Sequence, residues 1–238
     1  MWTINRKNMK IGIIAAMSKE LQLLLPLMND VEIVEASGFR FHIGTIGSAS
    51  VVAMQCGIGK VNASVGCVTM IDMFHPDMVI NTGVAGGTGS AAGILDIVVA
   101  EAVAYHDVWC GPGTQWGEAA GCPGRMETDA RLLALECLND VPHLHKGLIA
   151  SGDIFVDRAS QVEHILTLYP DAMAVDMESG ALAQTCRLRA VPFFCFRVVS
   201  DTPGAGVDNA AQYEHFWEDA PKSAFGLLSR IIGELTRG

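Results

Sequence analysis

The stretch KIGIIAAMSKE, Lys10–Glu20, decides how the chain is read. From Lys10 to Ala16 it is a compact apolar run with no polar alternation, the pattern of a strand covered on both faces. Helical spacing follows from Ser18 to Met28, with Ser18 as the expected N-cap and Pro26 as a terminator or kink. A doubly covered strand running straight into a helix is a unit of an α/β sheet.

Outward from this unit the same alternation repeats. Val31–Val34, Phe39–Thr45 and Ser50–Gln55 are short strand-like runs punctuated by glycine and predict an antiparallel meander. Lys60–Phe74 reads as a helix that stops before Pro76. Met78–Thr82 is a further strand, leading into Gly83–Gly87, read as a loop over which a ligand could approach the backbone closely. Asp96–Ala104, Lys146–Ser151 and Ala172–Asp176 are strands; Thr128–Asn139, capped by Thr128, and Ala159–Leu168 are helices. A helix follows Met177-Glu178, the most hydrophobic strand is Val191–Ser200, and a long helix runs from Tyr213 to Thr236. The expected architecture is a three-layer α/β/α sandwich with a twisted central mixed β-sheet.

The 238 residues are 50% hydrophobic and no Pro-, Ser- or charge-rich linker divides them. One domain over residues 9–238 is therefore expected, with residues 1–8 a leader or an alternative start. A net charge of −10 disfavours nucleic acid and anionic membrane surfaces as partners, and no stretch reaches membrane-spanning length. The seven cysteines form no CxxC pair and mostly sit among apolar neighbours, as free thiols in a reducing, cytoplasmic compartment would. The histidines offer no trusted ligand pair; His143 and His145 read as a solvated turn, and no metal or redox cofactor is expected.

Ligands of such folds sit beyond the carboxyl ends of the strands. Three carboxylates fall there: Glu20, Glu178 and Asp201. Singly each has an ordinary explanation, a first-turn acid for Glu20, a helix-start acid for Glu178 and a turn cap for Asp201. Their shared edge is what suggests chemistry.

The ordered motifs GIIAAM and SKE, CGIGKVNA, INTGVAGG, AYHD, GCPGR, SGDIF, AVDMES and FRVVSDTPG span nearly the whole chain. As a set they resemble the bacterial 5′-methylthioadenosine/S-adenosylhomocysteine nucleosidases of the nucleoside phosphorylase-like superfamily. The resemblance implies that fold, and hydrolysis that frees adenine from the 5-thio-substituted ribose as a step of methionine salvage. It implies Glu20 as general base for the attacking water and Glu178 as holder of the ribose hydroxyls, with Met177 beside it. Asp201 would protonate or hydrogen-bond N7 of adenine, and Arg197 would help to hold water and acids. Phe155 would stack on the base while the Val156 backbone reads its edge. Met17, Ile58 and Tyr213 would line the sugar and the 5′-alkylthio pocket. Ala85, Gly86, Asp176 and Ser200 complete the expected substrate-binding set.

The chemistry is coherent in itself. Cleaving an N-glycosidic bond builds positive charge on the ribose, and adenine leaves poorly unless protonated. Asp201 ends the apolar run VPFFCFRVVS, which would resist its ionisation. A phosphorylase would need cations for a phosphate dianion; a carboxylate at position 20 would repel it, so water is the expected nucleophile. Other 5′-modified purine nucleosides, such as futalosine or 5′-deoxyadenosine, and a silent nucleoside-binding protein are the remaining alternatives. Val84, Asp176 and Cys56 depart from the family pattern, where Ser, Glu and Ser are common, and bear on the choice of 5′ substituent. The long Tyr105–Arg125 segment carries Trp109 and Trp116. It is either a local plug or, as the family implies, part of a homodimer interface that closes the partner's pocket.

Overall fold

The structure is a computed structural model that describes residues 9–119, 121–204, 216 and 221–237. The expected leader, residue Tyr213 and most of the segment after Gly204 lie outside the described residues. Strand β1 (Lys10–Ala15) is central: it pairs in parallel with β4 (Ala49–Gln55) on one side and β5 (Met78–Gly87) on the other. Its side chains alternate between two cores. Ile11 and Ile13 face one built with helix α1 (Ser18–Leu24) and the C-terminal helix α6 (Pro221–Leu235), including Leu21, Leu24, Leu228 and Ile231. Ile14 faces the other, built with α2 (Lys60–Phe74) and α5 (Ser179–Leu188), including Cys67, Met70 and Leu182. Gly12 is bare because a Cβ there would meet the Met70 sulfur at 2.5 Å. The continuous apolar run is thus explained by cover on both faces.

On the β4 side, β3 (Phe39–Ile46) and β2 (Asn29–Ala36) complete the antiparallel meander, which ends in an exposed edge. On the β5 side the sheet is not a simple open array. Strand β10 (Phe193–Asp201) pairs in parallel with β5 and antiparallel with β6 (Ile97–Tyr105). Strand β6 pairs with β8 (Leu144–Ser151), β8 with β9 (Ala172–Asp176), and β9 returns to β5. Five strands therefore close into a ring within the mixed sheet, while β7 (Met126–Glu127) adds a short pairing to β6. Helix α4 (Ala159–Leu168) covers part of the outside of this ring through Val162 and Ile165.

Four local expectations are corrected. Gly83–Gly87 is not a loop but the second half of β5, because β10 and β9 supply ladder partners on both its edges. Helix α1 already includes Ser18; Met17 occupies the cap position, and the Glu20 carboxylate accepts its backbone N–H. The expected Thr128–Asn139 helix is two short pieces, α3 (Ala130–Leu133) and a 3₁₀ turn at Glu136–Leu138. The cap is Asp129, whose carboxylate accepts the Arg131 N–H, whereas the Thr128 hydroxyl donates to the Ala100 carbonyl. His145 belongs to β8 and sits 2.9 Å from Asp96, with His143 at 3.5 Å, so these histidines are carboxylate partners rather than a plain solvated turn.

Candidate active site

The strand ends of the ring open into a cavity of about 310 Å3. It brings together Met17, Glu20, Ile58, Ala85, Gly86, Phe155, Val156, Asp176, Met177, Glu178, Ser200 and Asp201 of the residues named from the sequence. Ala16, Val84, Ile154 and Val175 join them. None of these residues is Lys or Arg, and four carry carboxylates. Glu20 and Asp201, distant in sequence, face a single space. Tyr213 lies outside the described residues.

Each carboxylate is fixed by neighbours the fold supplies. Glu20 accepts the Ala16 and Met17 N–H groups at 2.8 and 2.9 Å through Oε2, and the Val84 N–H at 2.9 Å through Oε1. Burial pushes its pKa up, against the Arg197 charge and these three N–H groups, which pull it down. A buried carboxylate fixed by three N–H donors, with its pKa raised, can act as a general base. It is not the solvated first-turn acid that position 20 alone would suggest.

Glu178 accepts the Gly59 N–H at 2.9 Å. Burial and the adjacent Asp176 push its pKa up to about 7, against Arg197 and the Gly59 N–H. Asp201 stands at the end of β10, where the Ser200 hydroxyl donates to it at 2.7 Å. Burial raises its pKa, and that one hydrogen bond only partly opposes the rise. Here the apolar strand end acts as the sequence implied.

Arg197 does not line the cavity; it lies fully buried behind it. Its guanidinium donates to Asp176 at 2.6 Å and 2.9 Å and to the Asn81 side chain at 2.7 Å. Glu178 is 3.9 Å away. Burial works against the charge of Arg197, but Asp176 and the other carboxylates outweigh it and hold its pKa above the ordinary value. One guanidinium nitrogen, Nη1, has no hydrogen-bond partner among the described residues. It lies next to Gly83, where a Cβ would come within 2.7 Å of it and would also collide with Glu20 Oε1. Gly83 thus lets the Glu20 carboxylate and the guanidinium approach the same point of backbone.

Several of these parts were not legible from the sequence. Ala16, Val84 and Gly59 act through backbone N–H groups, which no side-chain pattern reveals. Asn81 is fully buried and bridges Arg197 to the Ile14 carbonyl. Its signal was present, a lone amide inside the apolar run MVINT. Among the described residues no trio of His, Cys, Asp or Glu is arranged to hold a metal ion.

Known proteins share this arrangement of chain. A profile of the phosphorylase superfamily matches residues 10–233. A 5′-methylthioadenosine/S-adenosylhomocysteine nucleosidase of Staphylococcus saprophyticus is 38% identical over 93% of this chain and 98% of its own. The crystal structure of the nucleosidase of that name from Colwellia psychrerythraea 34H, in complex with adenine, superposes with a TM-score of 0.90 at 33% identity, covering 96% of each chain. Futalosine hydrolase of Helicobacter pylori follows at a TM-score of 0.88 and 29% identity, covering 95% of this chain and 98% of that one. Matched by this profile and by these relatives over nearly its whole length, this protein belongs to the phosphorylase superfamily and, within it, to the 5′-methylthioadenosine/S-adenosylhomocysteine nucleosidases.

Proposed function

We propose that the chain hydrolyses the N-glycosidic bond of 5′-methylthioadenosine and S-adenosylhomocysteine, releasing adenine and the 5-thio-substituted ribose. The observation that carries this reading is the presence of Glu20, Glu178 and Asp201 around one cavity, each buried and each with a raised pKa. Asp201 in its neutral form gives a proton to, or shares one with, N7 of adenine, so that the base leaves uncharged. Glu178 holds the ribose hydroxyls and offsets the positive charge that grows on the ring. Glu20, kept in place by three N–H groups, takes a proton from water as it attacks the anomeric carbon. Arg197 orients Asp176 and balances the carboxylates from behind. Phe155 stacks on the base, the Val156 backbone reads its edge, and Met17, Ile58, Met177 and Tyr213 surround the sugar and its 5′ group. Ala85, Gly86 and Ser200 complete the base side.

The absence of Lys and Arg among the cavity-lining residues favours water over phosphate, because a dianion would meet carboxylates with no cation to receive it. Adenine release in phosphate-free buffer tests this: steady turnover is expected, and turnover only on adding phosphate would make the protein a phosphorylase. The likeness to futalosine hydrolase supports a second reading on the same residues. The apolar side chains of Met17, Ile58 and Met177 favour a thioether, and relative rates on the three nucleosides decide between them.

The chemistry of the products supports a role in methionine salvage. All seven cysteines are free, which supports a reducing, cytoplasmic setting; no helix among the described residues is long and apolar enough to cross a membrane. The working form is a homodimer, with the Tyr105–Arg125 segment at its interface.

A further inference from the structure

Three loops meet beside the cavity without their charged side chains lining it. The first, after β4, carries Gly59 and Lys60; the second, after β6, carries Asp107; the third, after β8, carries Asp153. The Lys60 ammonium lies 2.7 Å from Asp107 Oδ1, and the other oxygen of Asp107 accepts the Asp153 N–H at 2.8 Å. The Asp153 carboxylate in turn accepts the Lys60 backbone N–H at 2.8 Å. The ring of contacts is closed: side chain of Lys60 to Asp107, Asp107 to Asp153, Asp153 to the backbone of Lys60. The Lys60 ammonium also rests over the buried Tyr105 ring, 4.8 Å from its centroid, and the Tyr105 hydroxyl donates to Gln184 at 2.9 Å. With the Lys60 and Asp107 side chains 21% and 16% exposed, the ion pair is largely withdrawn from water and screened less than a surface pair.

This ring has functional groups on both sides. One residue before Lys60, the Gly59 N–H holds Glu178. Directly after Asp153 come Ile154, Phe155 and Val156, all at the cavity. Gly59 sits at φ +93°, and a Cβ on it would lie 3.0 Å from Asp153 Oδ1, so the loops pack without slack.

We propose that Asp107, clamped by Lys60, is a positioning residue that ties the base-stacking loop to the backbone N–H holding the ribose carboxylate. The proposal rests on the nucleosidase reading, in which Phe155 contacts adenine and Glu178 the ribose. Asp107 itself touches neither. Removing it breaks two of the ring's three contacts and leaves the Asp153 bond to the Lys60 N–H without support, so base affinity and the state of Glu178 should change together.

The test uses Asp107→Ala, Asp107→Asn and Lys60→Met, measuring kcat and KM for methylthioadenosine, adenine affinity by calorimetry, and the pH profile of kcat/KM. Asp107→Ala is expected to lower kcat/KM roughly ten- to a hundred-fold, with KM and the adenine Kd rising together. Its acid limb should move to higher pH, because loosening the Gly59 N–H removes a contact that holds the Glu178 pKa down. Asp107→Asn keeps an acceptor for the Asp153 N–H and should recover part of the loss; Lys60→Met should fall between. Because the latter two keep the loop's other bonds, they answer the question even where the alanine variant folds poorly. Variants that melt earlier but keep the wild-type KM, adenine affinity and acid limb would reduce the ring to a structural tie and overturn the proposal. A wild-type protein that neither binds nor releases adenine overturns the nucleosidase reading beneath it, and the unsubstituted control separates the two failures.

Discussion

Asp201 and Glu178 are both carboxylates with raised pKa values, yet different neighbours set the two shifts. Burial raises the Asp201 pKa, and the Ser200 hydroxyl opposes the rise. Glu178 is raised by burial and by Asp176, while Arg197 and Gly59 pull it back to about 7. If the acid form of Asp201 and the ionised form of Glu178 are the active ones, kcat/KM falls as pH rises through the Asp201 value. It also falls as pH drops through about 7. Asp201→Asn should cut kcat by roughly 10²–10⁴-fold with little change in Tm, since no buried cation loses a partner. Wild-type turnover in that variant would remove Asp201 from the chemistry. Asp176→Asn is a different experiment. It leaves the buried Arg197 guanidinium without its nearest charge partner and should cost about 3–5 kcal/mol in denaturant unfolding. It should also move the acid limb to lower pH, because a charge that raised Glu178 has gone. Most of these side chains were legible in the sequence, because acids at strand ends are few and their order is distinctive. Asn81 and the backbone donors were not, since burial and hydrogen bonding are decided only once distant strands pair.

At the level of the element, β5 shows how a correct residue reading can carry a wrong local structure. Gly83-Val84-Ala85-Gly86-Gly87 was expected to be a loop because glycine weakens an isolated strand. Cross-strand pairing overrides that cost: β10 pairs along Phe193–Asp201, and β9 pairs with Gly86 and Gly87. The strand still brings Val84, Ala85 and Gly86 to the cavity wall. Gly83, with φ at +155°, has Glu20 and Arg197 both against its Cα. Gly83→Ala should therefore cost roughly 1–3 kcal/mol of stability and displace the base. Turnover should fall far more than the loss of folded protein explains, and circular dichroism with single-turnover kinetics on the same sample separates the two effects. Unchanged kinetics would mean that the base and guanidinium can both yield at no cost. The same contrast holds for α1 and α2. The span of α2 was readable as Lys60–Phe74, whereas α1 was read through to Met28 and ends at Leu24, where Leu25–Leu27 tighten into a 3₁₀ turn containing Pro26. The cap of α1 was not readable, because the acceptor that starts it is the catalytic candidate Glu20 itself.

At the scale of the whole molecule, the alternation of strands and helices was legible, but the closure of five strands into a ring was not. Closure depends on β10 finding both β5 and β6, pairings that local periodicity cannot encode. The surface poses a similar problem, because one chain's sequence does not say which apolar residues stay wet. In the structure Ile58 and Phe155 line the cavity and are also more than half exposed, at 52% and 56%. Val61, three residues past Ile58 in the first turn of α2, is 73% exposed, and Val65 one turn further is 50% exposed. Trp109 and Trp116 stack on each other with centroids 6.2 Å apart, yet Trp109 remains 53% exposed. Apolar side chains gathered at a cavity rim and on an adjoining helix face are the signature of a covered surface, and a symmetric second copy is the simplest cover. The wild-type protein is therefore expected to sediment at twice its 25.4 kDa chain mass at assay concentrations. Val61→Glu would place a charge in the centre of that face, on a residue whose side chain packs against little of its own chain. It should yield a folded monomer whose KM rises, because the rim would then stand open to water and the 5′ group would lose apolar contact. Full activity from a wild-type monomer would show that the chain completes its own pocket, and the exposed rim would then need another explanation.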